Sequence, residues 1–259
     1  TQPSSMRVPD LYSTYFDGTS GYISTSHNSQ LSMDSGNFSA ECWCYRTCSV
    51  SGETATLVNK SGTGFVSVPH WIFGSTNGYW SYGVGSSGTS GTTLFSTTTA
   101  TLIVPDTWHH IAFIKTGTTY SLFLNGTRIS TTTNATVPLD NNPLGLSIGF
   151  QLSQTSTSYW WGQISDVRIN KGTLPTNYDA TLTTIPVPTQ KLTAVTGTVL
   201  LTCQDRTLKD NSANNFAMSS VAPAKPFPVS PFTQTYSSVA GLSTLGSAYF
   251  DGTGDYLSV

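Results

Sequence analysis

The sequence predicts an all-β chain: a two-sheet antiparallel jelly-roll sandwich with a C-terminal extension and the start of a second repeat. Three observations carry this. Short alternating apolar runs recur along the chain, separated by Gly- and Asn-rich turns. No stretch shows sustained helical periodicity with caps. Charged residues are only 9% against 37% hydrophobic and 12% aromatic residues, so polarity comes from Ser, Thr, Asn and Gly, which favour turns and strands.

Taken in chain order, Phe38 to Tyr45 alternates and is rich in aromatics. His109 to Lys115 places Ile111 and Phe113 on one face and Ala112 and Ile114 on the other. Both faces are apolar, so this strand should be covered on both sides. Ser121 to Ser130 reads as a hairpin closed by Asn125-Gly126, because both positions of a type I′ turn need positive φ. Gln163 to Asn170 alternates, with Ile164, Asp166, Arg168 and Asn170 expected on one face and Ser165, Val167 and Ile169 on the other. Leu174 to Leu182 has room for a turn or two of helix, and Thr198 to Cys203 is a short apolar strand.

Pro223, Pro226, Pro228 and Pro231 rule out a central strand there and suggest an extended linker. Beyond it, Tyr249, Phe250, Asp251, Gly252, Thr253, Tyr256 and Ser258 repeat Tyr15, Phe16, Asp17, Gly18, Thr19, Tyr22 and Ser24 at a constant offset. The expected organisation is an N-terminal segment over 1–12, the jelly roll over 13–190 and a β extension over 191–222. A Pro/Ser-rich linker over 223–245 and the first strand of a following repeat over 246–259 complete it. The polypeptide is expected to continue, or its last strand to pair with a neighbouring copy.

Composition also excludes. With 11 Lys plus Arg and a net charge of −2, no basic stripe exists to neutralise phosphates, so no nucleic-acid partner is expected. No apolar run approaches the ~20 residues of a membrane span, so no membrane insertion is expected. Of the four cysteines, Cys42 and Cys44 share a strand face. Small buried hydrophobes, a disulfide among Cys42, Cys44, Cys48 and Cys203, and a metal site are the three readings, and no CxxC pair or adjacent His supports the last.

The order Tyr15 to Thr25, Phe38 to Tyr45, Thr107 to Ser130 and Trp160 to Thr173 resembles the laminin-G-like domains of the concanavalin-A-like lectin/glucanase superfamily. Leu192 to Phe216 and the Pro-rich joint resemble the extension such domains carry in tailed-phage virion proteins. The resemblance implies two sheets with a concave and a convex face, and relatives that bind glycans, proteins or calcium or serve as architecture. It implies a virion structural or adhesive module (tail fibre, appendage or capsid decoration) at a virion surface or outside the cell. Its partners would be other copies, other virion proteins and host glycans. A secreted bacterial carbohydrate-binding adhesin and a subunit of an extracellular filament are the alternatives.

No enzyme is expected. Glucanases of the superfamily use two Glu on one strand, whereas this chain has only Glu41 and Glu53, twelve positions apart. His109 and His110 are neighbours on a strand and point to opposite faces, so they cannot share a metal. No cofactor is required. Calcium is the small ligand considered, with Asp17, Gly18 and Asp166 matching positions where relatives place oxygen ligands. The competing reading makes Asp17-Gly18 a plain turn and pairs Asp166 with Arg168. Trp71, Tyr79, Trp80, Tyr82, Trp160 and Trp161 are the candidates for stacking on sugar rings, against the alternative that they pack.

Overall fold

A computed structural model describes residues 11–47, 53–60, 70–86, 92–138, 145–152 and 158–232. The strands in chain order are β1 (Ser13–Asp17), β2 (Tyr22–Thr25), β3 (Phe38–Arg46), β4 (Ala55–Lys60) and β5 (Trp71–Thr76). Then come β6 (Tyr79–Ser86), β7 (Thr92–Leu102), β8 (Trp108–Thr116), β9 (Thr119–Leu124) and β10 (Thr127–Thr133). The last five are β11 (Leu146–Ile148), β12 (Trp161–Lys171), β13 (Thr198–Thr202), β14 (Ser219–Val221) and β15 (Lys225–Phe227).

They form two antiparallel sheets. Sheet A runs β10-β9-β8-β3-β12-β1-β15, with β13 also pairing β12. Sheet B runs β14-β2-β11-β4-β5-β6-β7. Inward residues of both sheets make one core, with Phe16, Phe38, Trp71, Phe73, Trp80 and Phe113 wholly buried. Each such aromatic hides ~150–250 Å² of surface, which suits a sandwich whose sheets lie about 10 Å apart.

Several expectations hold. Asn125 and Gly126 have φ of 48° and 81° and join β9 to β10 in the predicted hairpin. Strand β8 is covered on both faces. Ile111 and Phe113 enter the main core, while Ala112 and Ile114 pack with Phe123, Tyr178, Ala180 and Ile185 in a second cluster on the outer face of sheet A. The chain over 174–193 thus forms a strap across part of that face.

Others are corrected. Leu174 to Leu182 is a pair of turns, not a helix: the Tyr178 N–H donates to Pro175 O and the Leu182 N–H to Asp179 O. The simple alternation expected for β12 fails at Asp166, which has a φ of 52° and forms a bulge opposite β3. One extra residue flips the phase, so Ile164, Val167 and Ile169 all enter the core. The bulge lies where β12 changes neighbours. Ile164 pairs with Thr14 of β1, and Val167 pairs with Thr202 of β13. The C-terminal extension therefore continues sheet A end to end with β1.

The first part of the expected linker is a strand instead. β15 pairs with β1, carrying Pro226 at the sheet edge, where a missing N–H costs no ladder bond. β14 pairs with β2 on the other sheet. Three-residue strands thus end both sheets on this side, and short edges resist pairing with other chains. The expected second-repeat strand, 246–259, lies outside the described residues.

Candidate functional site

The outer face of sheet B carries a shallow trough of about 230 Å³. Its floor follows from strand alternation. In β5, Trp71 and Phe73 point into the core, so Ile72, Gly74 and Thr76 face out. In β6, Trp80, Tyr82 and Val84 point in, so Tyr79, Ser81 and Gly83 face out. The register sets Ile72 opposite Gly83, Gly74 opposite Ser81 and Thr76 opposite Tyr79. Both glycines lie close to neighbouring backbone. A Cβ on Gly83 would stand 3.1 Å from Phe95 O, and one on Gly74 would run into Ala55 O.

Hydroxyls line the rest: Thr54, Thr56, Thr76, Ser81, Thr93 and Ser96, with the Thr76 hydroxyl donating to Ser81 Oγ at 3.1 Å. Ile72 and Phe95 add half-buried apolar surface, and the buried Gln151 closes one side. No Asp, Glu, Lys, Arg or His is among the described lining residues. Such a hollow offers neutral donors and acceptors beside small apolar patches, which is the complement of an uncharged polyhydroxylated ring.

The six aromatic candidates divide. Tyr79 is 36% exposed opposite Thr76 but does not line the trough, and Trp161 is 42% exposed on the other sheet. Trp71, Trp80, Tyr82 and Trp160 are buried, which corrects the stacking expectation for those four, because a ring with neither face open cannot stack a sugar. Their polar tips are largely used inside. Trp71 Nε1 donates to Leu31 O at 2.9 Å and Trp160 Nε1 to Tyr45 O at 3.3 Å. Tyr82 Oη bridges to Ser130 and Thr132 of β10. Alternation on β6 was the signal that separates Tyr79 from Trp80 and Tyr82.

The carboxylates expected at a calcium site are not brought together. Asp17 lies opposite Trp161 and Asp166 lies five residues further along β12, roughly 16 Å at strand rise. Asp17 Oδ1 accepts the backbone N–H groups of Thr19, Ser20 and Gly21, and Oδ2 accepts the Thr19 and Ser20 hydroxyls. Partial burial alone would raise it, but these donors hold it far below the usual carboxylate range. Gly18, at φ 77°, completes the turn under Trp161.

Asp166 does not pair with Arg168. It accepts from the Ser165 hydroxyl at 2.6 Å and the Leu192 N–H at 2.7 Å, and burial pushes it up to about 6. The Gln204 amide, oriented to satisfy its neighbours, adds a donor at 2.9 Å. With every oxygen so engaged, these residues do not fit a hard cation wanting six to eight oxygens. No cluster of three or more His, Cys, Asp or Glu among the described residues could hold a metal. Cys42, Cys44 and Cys203 are buried free thiols of the core, and burial raises Cys42 and brings Cys203 to about 12; Cys48 lies outside the described residues.

One polar centre was missed by the sequence reading. Glu41 is fully buried beneath the strap on sheet A. Its oxygens accept from Arg168 Nε at 2.8 Å and Tyr178 Oη at 2.7 Å, and Oε2 lies 2.9 Å from His110 Nε2. Burial would raise it, yet the His110 hydrogen bond and the Arg168 charge outweigh that and lower it. Burial and the Glu41 charge push Tyr178 well above its ordinary value. Glu53 is exposed and paired with Arg46. The two glutamates therefore sit in unrelated places, and neither lines the trough.

A family model described as the concanavalin A-like lectin/glucanases superfamily matches residues 17–177. Among solved structures, a proposed carbohydrate binding protein from Bacteroides ovatus aligns with a TM-score of 0.54 at 14% identity, over 83% of this chain and 61% of that one. This chain thus spans about three fifths of that protein, and the likeness is one of fold. Domain 4 of an extracellular arabinanase from Geobacillus stearothermophilus, in complex with arabinotriose, aligns at 0.45 and 17% identity, over 63% and 72% of the two chains. Domains LG4-5 of the mouse laminin alpha1 chain align at 0.44 and 15%, over 62% and 41%. No curated protein matches.

Proposed function

The chain belongs to the concanavalin A-like lectin/glucanases superfamily, and we propose that it is a non-catalytic carbohydrate-binding module whose site is the trough on sheet B. One observation carries the reading: the trough is floored by glycine, lined by hydroxyls and free of charged side chains among its described residues. Gly74 and Gly83 add no side chain to the trough, and neighbouring backbone crowds their Cβ positions. Thr54, Thr76, Ser81 and Ser96 each offer both a donor and an acceptor. Tyr79, outside the lining itself, is exposed opposite the lining residue Thr76.

The same geometry supports binding without turnover. Retaining glycoside hydrolysis needs two carboxyl groups about 5–5.5 Å apart, and inverting hydrolysis needs them across a water-sized gap. Glu41 has no oxygen free to activate water, and Glu53 is held by Arg46. A neutral, shallow site binds each sugar weakly, and multiple copies would multiply that affinity through avidity.

The setting is part of the proposal: a virion surface or extracellular appendage, with other copies of the chain or other virion proteins as partners. Its support is the likeness of Leu192 to Phe216 to phage extensions and the repeat of Tyr15 to Ser24 at Tyr249 to Ser258. A glycan array tests the binding claim with wild type and Ser81→Phe, which fills the trough from a half-buried position. The expected result is recognition of neutral sugars by wild type, lost in the variant at unchanged melting temperature. An array without any neutral ligand, or binding indifferent to Ser81→Phe, overturns the reading.

A further inference from the structure

Among the described residues, the outer face of sheet A is covered by the strap in one half and open in the other. The strap over 174–193 covers Ala112, Ile114 and Phe123. Further along the strands, the outward positions form a row that crosses five strands: Lys225, Tyr15, Gln163, Tyr45 and Trp108. Each is at least partly exposed. Tyr45 and Trp108 are in ring contact at 5.6 Å, and Tyr45 Oη donates to Asp106 at 3.3 Å. Trp161, 42% exposed, stands two residues from Gln163 on β12, at the next outward position. Phe232 packs edge-on against Trp43 at 5.7 Å and marks the opposite border.

We propose that this open half is a second ligand surface, separate from the trough, for an extended polysaccharide chain lying across the strands. Its apolar material is aromatic: the described outward positions of β1, β12, β3 and β8 in this half carry Tyr, Trp, His, Ser, Gln and Asp, and no aliphatic side chain. A protein-binding patch gains from aliphatic knobs, whereas a sugar chain needs flat rings with polar tips between them. Tyr15 and Tyr45 flank Gln163 from the two neighbouring strands. Their backbones lie about 10 Å apart, two strand spacings, the length scale of two sugar rings in an extended chain. The Gln163 amide between them offers both a donor and an acceptor at the midpoint. The surface is an open sheet face and not an enclosed hollow, so it suits a chain presented by a solid and not a single residue held in a pocket.

The test is depletion of the protein from suspensions of microcrystalline cellulose and of chitin, two insoluble β-1,4-linked polysaccharides. Wild type should be depleted by at least one of them. Trp161→Ala and Tyr15→Ala should each weaken partitioning roughly tenfold, the effect of losing one stacked ring. Trp161→Phe should retain most of it, and Ser81→Phe in the trough should leave it unchanged. Melting curves guard against misfolding, for which the exposed Trp161 is the safer position. No depletion by either solid overturns the proposal, and so does depletion indifferent to both alanine variants. Sedimentation showing a dimer that Trp161→Ala dissolves would overturn it as well, because the face would then meet a second copy.

Discussion

The two sheets of this sandwich treat their outer faces in opposite ways. On sheet A, Ala112, Ile114 and Phe123 point outward, and a strap of turns covers them. On sheet B, the outward positions of β5 and β6 are Gly74, Gly83, Ser81 and Thr76 with the half-buried Ile72 and the exposed Tyr79, and a trough stays open above most of them. The alternation is the same, and the outward side chains decide the rest. Large apolar groups must be removed from water at about 25 cal/mol per Å², so they recruit a cover. Glycine and hydroxyl residues gain little from cover and remain available to a ligand. Function on this fold is thus expected where outward residues are small or polar-tipped, and stability where they are large.

The largest effect that would test this contrast comes from beneath the strap. Glu41→Ala leaves Arg168, His110 and Tyr178 buried without their common partner. Breaking a buried pair from one side costs about 3–5 kcal/mol. Chemical denaturation should show that loss, with early exposure of the strap to protease. Ser81→Ala in the trough should stay within about 0.5 kcal/mol of wild type. Equal losses at the two positions would remove the distinction between the faces.

A smaller effect sits at the border of the covered half. Asp166 is raised from 3.8 to about 6 by burial, so the folded chain holds that proton more tightly than the unfolded one. The stability it contributes is fully present below about pH 4 and is lost as pH rises through 6. The ceiling is about 3 kcal/mol at 1.4 kcal/mol per pH unit, and the Gln204 donor trims it. Melting temperatures of wild type should therefore decline between pH 4 and 6.5 more steeply than those of Asp166→Asn. Parallel profiles would show that the bulge does not hold a protonated carboxyl. Below pH 4.5 the slope reverses in origin, because the lowered Glu41 contributes stability that is lost on protonation.

Much of the fold was legible because period-2 patterning is local. The Asn125-Gly126 turn and the doubly covered β8 follow directly from residue order. The failures were non-local. The bulge at Asp166 exists because β12 exchanges β1 for β13 at that point, and no window around Asp166 contains β13. Pro226 excluded a central strand correctly, but an edge strand depends on β1, more than two hundred residues earlier.

The candidate site was harder to read for the same reason. Aromatic clustering pointed to the β5–β6 hairpin, yet the trough above it is made by the small residues between the aromatics. Of that group only the buried Tyr82 is among its lining residues; Trp71 and Trp80 lie in the core, and Tyr79 is exposed opposite Thr76. Glu41 was set aside as half of an absent catalytic pair. Its ring of partners comes from positions 110, 168 and 178, which sequence spacing does not bring together.

Everything proposed for sheet B requires that a neutral sugar rest in its hydroxyl-lined trough. Residue-resolved NMR titration of the isotopically labelled chain with a panel of neutral mono- and disaccharides addresses it most directly. Saturable amide shifts are expected at Thr56, Gly74, Ser81, Gly83 and Ser96, with the strap over 174–193 unmoved. Shifts gathered elsewhere, or none with any sugar at high concentration, would contradict it.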